Sequence, residues 1–72
     1  MAPDVERLFT EERRTRILQI LEREHRVAVP DLAGRFHVSL DTVRRDLRDL
    51  CARQLIRKTH GGAMRRTAPP VG

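Results

Sequence analysis

Apolar residues recur at helical spacing in three stretches of the chain. Between residues 10 and 24, Ile17, Leu18, Ile20 and Leu21 make one stripe, and Arg13, Arg14, Arg16, Glu22 and Arg23 fall on the sides expected to stay wet. Thr10 followed by Glu11 and Glu12 marks a start, a capping hydroxyl and then acids facing the positive end of the helix dipole. Residues 30–36 place Leu32, Ala33 and Phe36 on one face and open with Pro30, whose fixed φ suits a first helical turn. Residues 40–53 repeat Val43, Leu47 and Leu50 on one face, with Ser39 as N-cap and Asp41 in the first turn. Val38 lies in the turn between these two helices and is expected to pack inward and fix their angle.

The spacing elsewhere is not helical. Arg26, Val27, Ala28 and Val29 form a short β-branched run that suits one brief strand. Residues 55–60 and 63–66 flank Gly61-Gly62, and two extended segments around glycines that reach positive φ predict a hairpin. Two short helices joined by a turn, then a hairpin, predict a mainly α fold with a small β-hairpin: a three-helix winged helix-turn-helix over residues 10–66. Residues 1–9, with Pro3 and little periodicity, read as a flexible leader. Residues 67–72, with Pro69 and Pro70, read as a linker or tail toward a further domain.

Composition narrows the class. Seventy-two residues suffice for one small domain, and two Phe with no Trp or Tyr leave the core to Leu, Ile and Val. Cys51 is the single cysteine, so no disulfide framework is expected, and its place near the core edge suits a small half-buried hydrophobe. His25, His37, His60 and Cys51 lack the paired spacing of a zinc site, and neither a metal nor another cofactor is expected. There is no nucleophile–base pair, phosphate loop or carboxylate pair, so the segment is not expected to be an enzyme. The first residues lack the apolar run of a signal peptide, and no stretch approaches the ~20 apolar residues of a membrane helix. The sequence therefore reads as a reduced, cytoplasmic domain.

Charge adds a direction. Residues 1–38 carry seven Arg against seven acids, whereas residues 39–66 carry eight bases against three, which accounts for the net +5. A basic excess confined to the third helix and hairpin suggests a surface for a polyanion. On the third helix, Asp41, Arg45 and Arg48 fall opposite Val43, Leu47 and Leu50, with Thr42 and Arg44 on the flanks. Such a face fits a DNA major groove, where an Arg fork can hold guanine O6 and N7. Because recognition helices present their N-terminal residues to bases, Leu40, Asp41, Arg44 and Arg45 are the candidate readers. Ser39, Thr42 and Arg48, with Arg57, Lys58, Arg65 and Arg66 of the hairpin, are candidates for phosphate or groove-edge contacts. Asp46 falls beside the core and reads as a structural partner for a nearby base. A second reading stays open: Asp41–Arg45 and Arg45–Asp49 are i, i+4 pairs, as on an ordinary salt-bridged helix surface.

The run V-S-L-D-T-V-R-R-D-L at residues 38–47 closely resembles the recognition segment of the DeoR-type bacterial regulators, V-S-x-x-T-[IV]-R-R-D-L. The hairpin's H-G-G-A at residues 60–63 resembles the end of that family's wing, and R-R-T-R-I-L at residues 13–18 its opening R-x-x-x-I-L. The resemblance covers residues 11–63. It implies a transcriptional regulator, often a repressor, of carbohydrate or related catabolic genes, bound to a double-stranded DNA operator and so nucleoid-associated. It also implies a C-terminal domain that binds a sugar phosphate and drives homo-oligomerisation, which these residues do not include. Two positions depart from the family pattern, which usually has Gly where this chain has Gln54 and often where it has His37. The alternative function is a winged helix used for protein contact, or a regulatory appendage of a larger enzyme.

Overall fold

The computed structural model describes residues 5–66, with side chains from residue 9 onward. Residues 1–4 of the expected leader and the whole expected tail, 67–72, lie outside the described residues. The element order is α1 (Val5–Glu24), β1 (Arg26–Ala28), α2 (Val29–Phe36), α3 (Leu40–Ala52), β2 (Ile56–Thr59) and β3 (Gly62–Arg65). Three helices pack with a small antiparallel sheet in the order β1-β3-β2, a winged helix-turn-helix.

Two expectations need correction at α1. The helix runs from Val5 instead of Thr10, because residues 5–9 contain no helix breaker. Arg13 and Arg14 are not wet: their side chains keep only 13% and 18% of their exposure, drawn inward by a carboxylate of α3.

The core gathers one apolar stripe from every element. Ile17 and Leu21 of α1, Leu32 of α2, Val43, Leu47 and Leu50 of α3 and Ile56 and Ala63 of the hairpin are all buried. Val27, Val29 and Ala33 complete it, while Leu18, Ile20, Phe36, Val38 and Cys51 pack partly buried around its edge. Neither phenylalanine belongs to the fully buried set, so the core is aliphatic as composition implies.

Backbone geometry at the helix ends sets the angles between elements. α3 begins as expected, with Ser39 Oγ accepting from the Thr42 amide at 3.1 Å. α1, α2 and α3 each close through a residue in the left-handed region: His25 (φ 68°), His37 (φ 56°) and Gln54 (φ 62°). After α3 the Gln54 amide donates to the Cys51 carbonyl (2.9 Å) and the Leu55 amide to that of Leu50 (3.0 Å). That pair of bonds is a Schellman closure, a position that Gly fills more often than any residue with a side chain. The chain therefore reverses at Gln54 and enters the wing directly.

The wing is a sheet of three strands, not a free hairpin. Val27 faces Ala63 and Arg26 faces Met64 on one side of β3; Lys58 faces Ala63 and Arg57 faces Met64 on the other. Of the two glycines only Gly61 has positive φ, at 80°. Gly62 is required for a different reason: a Cβ there would sit 2.0 Å from the Val27 carbonyl oxygen. The Gly61 carbonyl accepts the Val29 amide at 2.9 Å, so the wing turn satisfies the start of α2, whose N-cap, Ala28, has no side chain to do so.

Candidate nucleic-acid interface

The first turns of α3 carry the candidate base readers on one open surface. Leu40 is exposed and keeps 42% of its accessible surface. Asp41 and Arg44 are exposed and lie 3.3 Å apart as an i, i+3 pair. Arg45 and Arg48 are exposed as well. The two i, i+4 pairs that would make this an ordinary salt-bridged face do not form. Asp41 turns to Arg44, and Asp49 turns to Arg14 and Arg53, at 2.9 and 3.0 Å. Among the described residues, neither Arg45 nor Arg48 has a carboxylate partner. Both guanidinium groups are thus left facing solvent on the side of α3 opposite its buried stripe.

Ser39 and Thr42 stand at the start of the same helix. Their hydroxyl oxygens are 2.9 Å apart, and Ser39 also holds the Thr42 amide, so both side chains are ordered where free amide groups and the positive helix end favour an anion.

Residues 13–68 match the DeoR-like helix-turn-helix domain family. The chain belongs to that family. It is 37% identical over 57 residues to the HTH-type transcriptional regulator GolR of Listeria innocua, a match covering 79% of this chain and 22% of that protein. It is 40% identical over 55 residues to the transcriptional repressor AccR of Agrobacterium fabrum, covering 76% of this chain and 21% of the relative. To an L-fucose operon activator of Haemophilus influenzae it is 36% identical over 56 residues, covering 78% and 22%. The chain thus spans about a fifth of each of these relatives. No solved structure gives a significant match. Among the described residues no helix is long and apolar enough to cross a membrane, and no cluster of His, Cys, Asp and Glu could hold a metal ion.

In this DeoR-like domain the wing bases do not form one set. Side chains alternate along a strand and facing residues share a side. Lys58 therefore shares the side of Ile56 and Ala63, and Arg57 the outer side with Met64. Arg65 lies 3.5 Å from Glu22 of α1, and Arg66 donates to the Gln54 carbonyl at 3.0 Å. These two arginines are drawn toward α1 and the helix–wing junction, away from the turn at His60-Gly61. Arg26, absent from the sequence-derived candidates, joins the outer side through its pairing with Met64. Only the β1–β3 pairing places it there, and the one hint in the sequence was the short β-branched run.

Asp46 has no exposure and lies between Arg13 and Arg14 of α1, the structural role its place beside the core implies. Arg13 donates from Nη2 to Oδ1 at 3.0 Å and from Nε to Oδ2, and Arg14 donates from Nε to Oδ1 at 2.9 Å. The hydrogen bonds to Asp46 raise the Arg13 pKa above its ordinary value, outweighing the opposing effect of burial. The Asp46 partners were legible as a charge but not as a pair, since the bonds join residues far apart in sequence.

Proposed function

We propose that this chain is the sequence-specific, double-stranded DNA-binding module of a bacterial transcriptional regulator. In this reading α3 enters the major groove, with Leu40, Asp41, Arg44 and Arg45 at the base edges. Ser39, Thr42 and Arg48 hold the flanking phosphates. Arg57 and Lys58 contact backbone or groove edge from the wing, and Arg65 and Arg66 add positive charge nearer the domain body. The observation that carries it is the Arg45 guanidinium, exposed on the outer face of α3 without a carboxylate partner among the described residues.

The regulated genes are proposed to be catabolic, an L-fucose operon activator being among the relatives. A repressor is the reading carried forward from the family resemblance, and the relatives include AccR, a repressor, alongside that activator. The relatives' greater length supports a further C-terminal domain for a sugar-phosphate effector and for homo-oligomerisation. A cytoplasmic, nucleoid-associated location follows from the DNA partner.

A salt titration of duplex binding tests the reading. With several phosphate contacts, the logarithm of affinity is expected to fall linearly with the logarithm of salt, by about 0.9 per contact. Lys58→Ala is expected to weaken all duplexes alike and to reduce that slope by roughly one contact. Binding that is indifferent to salt would contradict the assignment.

A further inference from the structure

Asp46 is the one buried charged side chain among the described residues, and it lies on the helix assigned to base reading. Both of its oxygens are held from α1, by the Arg13 fork and by Arg14 Nε. Arg14 continues to Asp49, one turn further along α3, with Nη1 2.9 Å from Oδ2, and the same oxygen lies 3.0 Å from Arg53 Nε. Four charged side chains, Arg13, Arg14, Asp46 and Asp49, therefore run along the α1–α3 seam, and exposed Arg53 extends the set within α3.

Adhesion alone does not require them. Position 46 faces the core, where an apolar side chain of similar volume often serves stability as well as a buried ion pair or better. Apolar contacts, however, are non-directional and set a helix's rotation only through shape. A guanidinium fork on a carboxylate fixes direction as well as distance. Arg45 and Asp46 are neighbours in sequence, so any rotation of α3 that moves Arg45 moves the Asp46 carboxylate against its two arginines. A turn of about 10° displaces the outer surface of a helix of ~5–6 Å radius by about 1 Å. That shift is large for a bidentate hydrogen bond to a base edge.

We propose that the Arg13–Asp46–Arg14 clamp is a positioning element for base recognition, setting the rotation of α3 against α1 and with it the base edges that Arg44 and Arg45 address. The inference rests on the DNA-reading role of α3. Arg13, Arg14 and Asp46 touch no base themselves; they act through their neighbours on the helix.

Two variants of the 72-residue chain test it. Asp46→Leu replaces the clamp with apolar packing, and Arg13→Lys keeps the charge but loses the fork. Residual dipolar couplings of the backbone amides report the orientation of α3 relative to α1, and selection from a random duplex pool reports base preference. Both variants are expected to shift the α3 couplings and to lose about tenfold in discrimination at the positions read by Arg44 and Arg45. The salt slope of binding should stay at its wild-type value, because the phosphate contacts lie elsewhere. Wild-type couplings together with wild-type preferences would overturn the proposal, as would shifted couplings with unaltered preferences. If Asp46→Leu fails to fold, Arg13→Lys decides by the same two readouts. A wild-type chain that selects no duplex sequence contradicts the DNA-reading role itself and the clamp with it. Wild-type selection shared by folded variants contradicts the clamp alone.

Discussion

His25, His37 and Gln54 end α1, α2 and α3 in the left-handed region, where a side chain costs roughly 1–2 kcal/mol and glycine does not. The Val38 amide donates to the Ala33 carbonyl at 3.1 Å and the Leu55 amide to that of Leu50 at 3.0 Å, so the conformation at His37 and Gln54 is tied down on both sides. His37→Gly and Gln54→Gly are each expected to stabilise the domain by about 1 kcal/mol, seen as a higher urea midpoint at constant slope. Midpoints that fall would contradict the strain account. Gly62→Ala carries the opposite sign. Its methyl group would meet the Val27 carbonyl, forcing β1 and β3 apart at an expected cost of about 1–3 kcal/mol. Equal midpoints for Gly62→Ala and wild type would show that the close approach is not constraining. The strain at His37 and Gln54 was legible as two missing glycines, whereas at His25 no pattern signals it.

Between elements, α1 and α2 are joined at the surface by Arg35, whose Nη1 donates to Glu24 Oε2 at 3.0 Å and Nη2 to Oε1 at 3.1 Å. These hydrogen bonds hold the Glu24 carboxyl below its ordinary pKa of 4.5. A lowered folded-state pKa means a stabilisation fully present above the unfolded value and lost as pH falls through the folded one. Arg35→Gln is therefore expected to lower the melting temperature slightly at pH 7, with the difference shrinking as acid protonates the Glu24 carboxyl below its ordinary pKa. A difference that grows on acidification would contradict the sign. The three helices were legible because each carries an apolar stripe at helical spacing, and the capping residue Ser39 fixes where α3 begins. The early start of α1 was not, since residues 5–9 show no stripe that would set them apart from a leader. The strand at Arg26–Ala28 was legible as a short β-branched run, but its place in the wing was not: Arg26 pairs with Met64, and local pattern carries no information about a partner so far along the chain.

For the whole molecule, the net charge of +5 resides in the half of the sequence that forms α3 and the wing. The structure divides that charge into parts with different surroundings. Arg53 is occupied by Asp49, Arg66 by Gln54 and Arg65 lies near Glu22, while Arg45, Arg48, Arg57 and Lys58 are exposed without a carboxylate partner among the described residues. Family membership and the open face of α3 agree in pointing to DNA, and charge counting alone could not have separated the engaged arginines from the available ones. Arg45 is the proposed base reader. Selection from a random duplex pool with wild type and Arg45→Ala tests it most directly. The account predicts a defined site for the wild type and, for Arg45→Ala, loss of preference at one position worth about 1–3 kcal/mol. Selection of the same site by both proteins with equal affinity would contradict it.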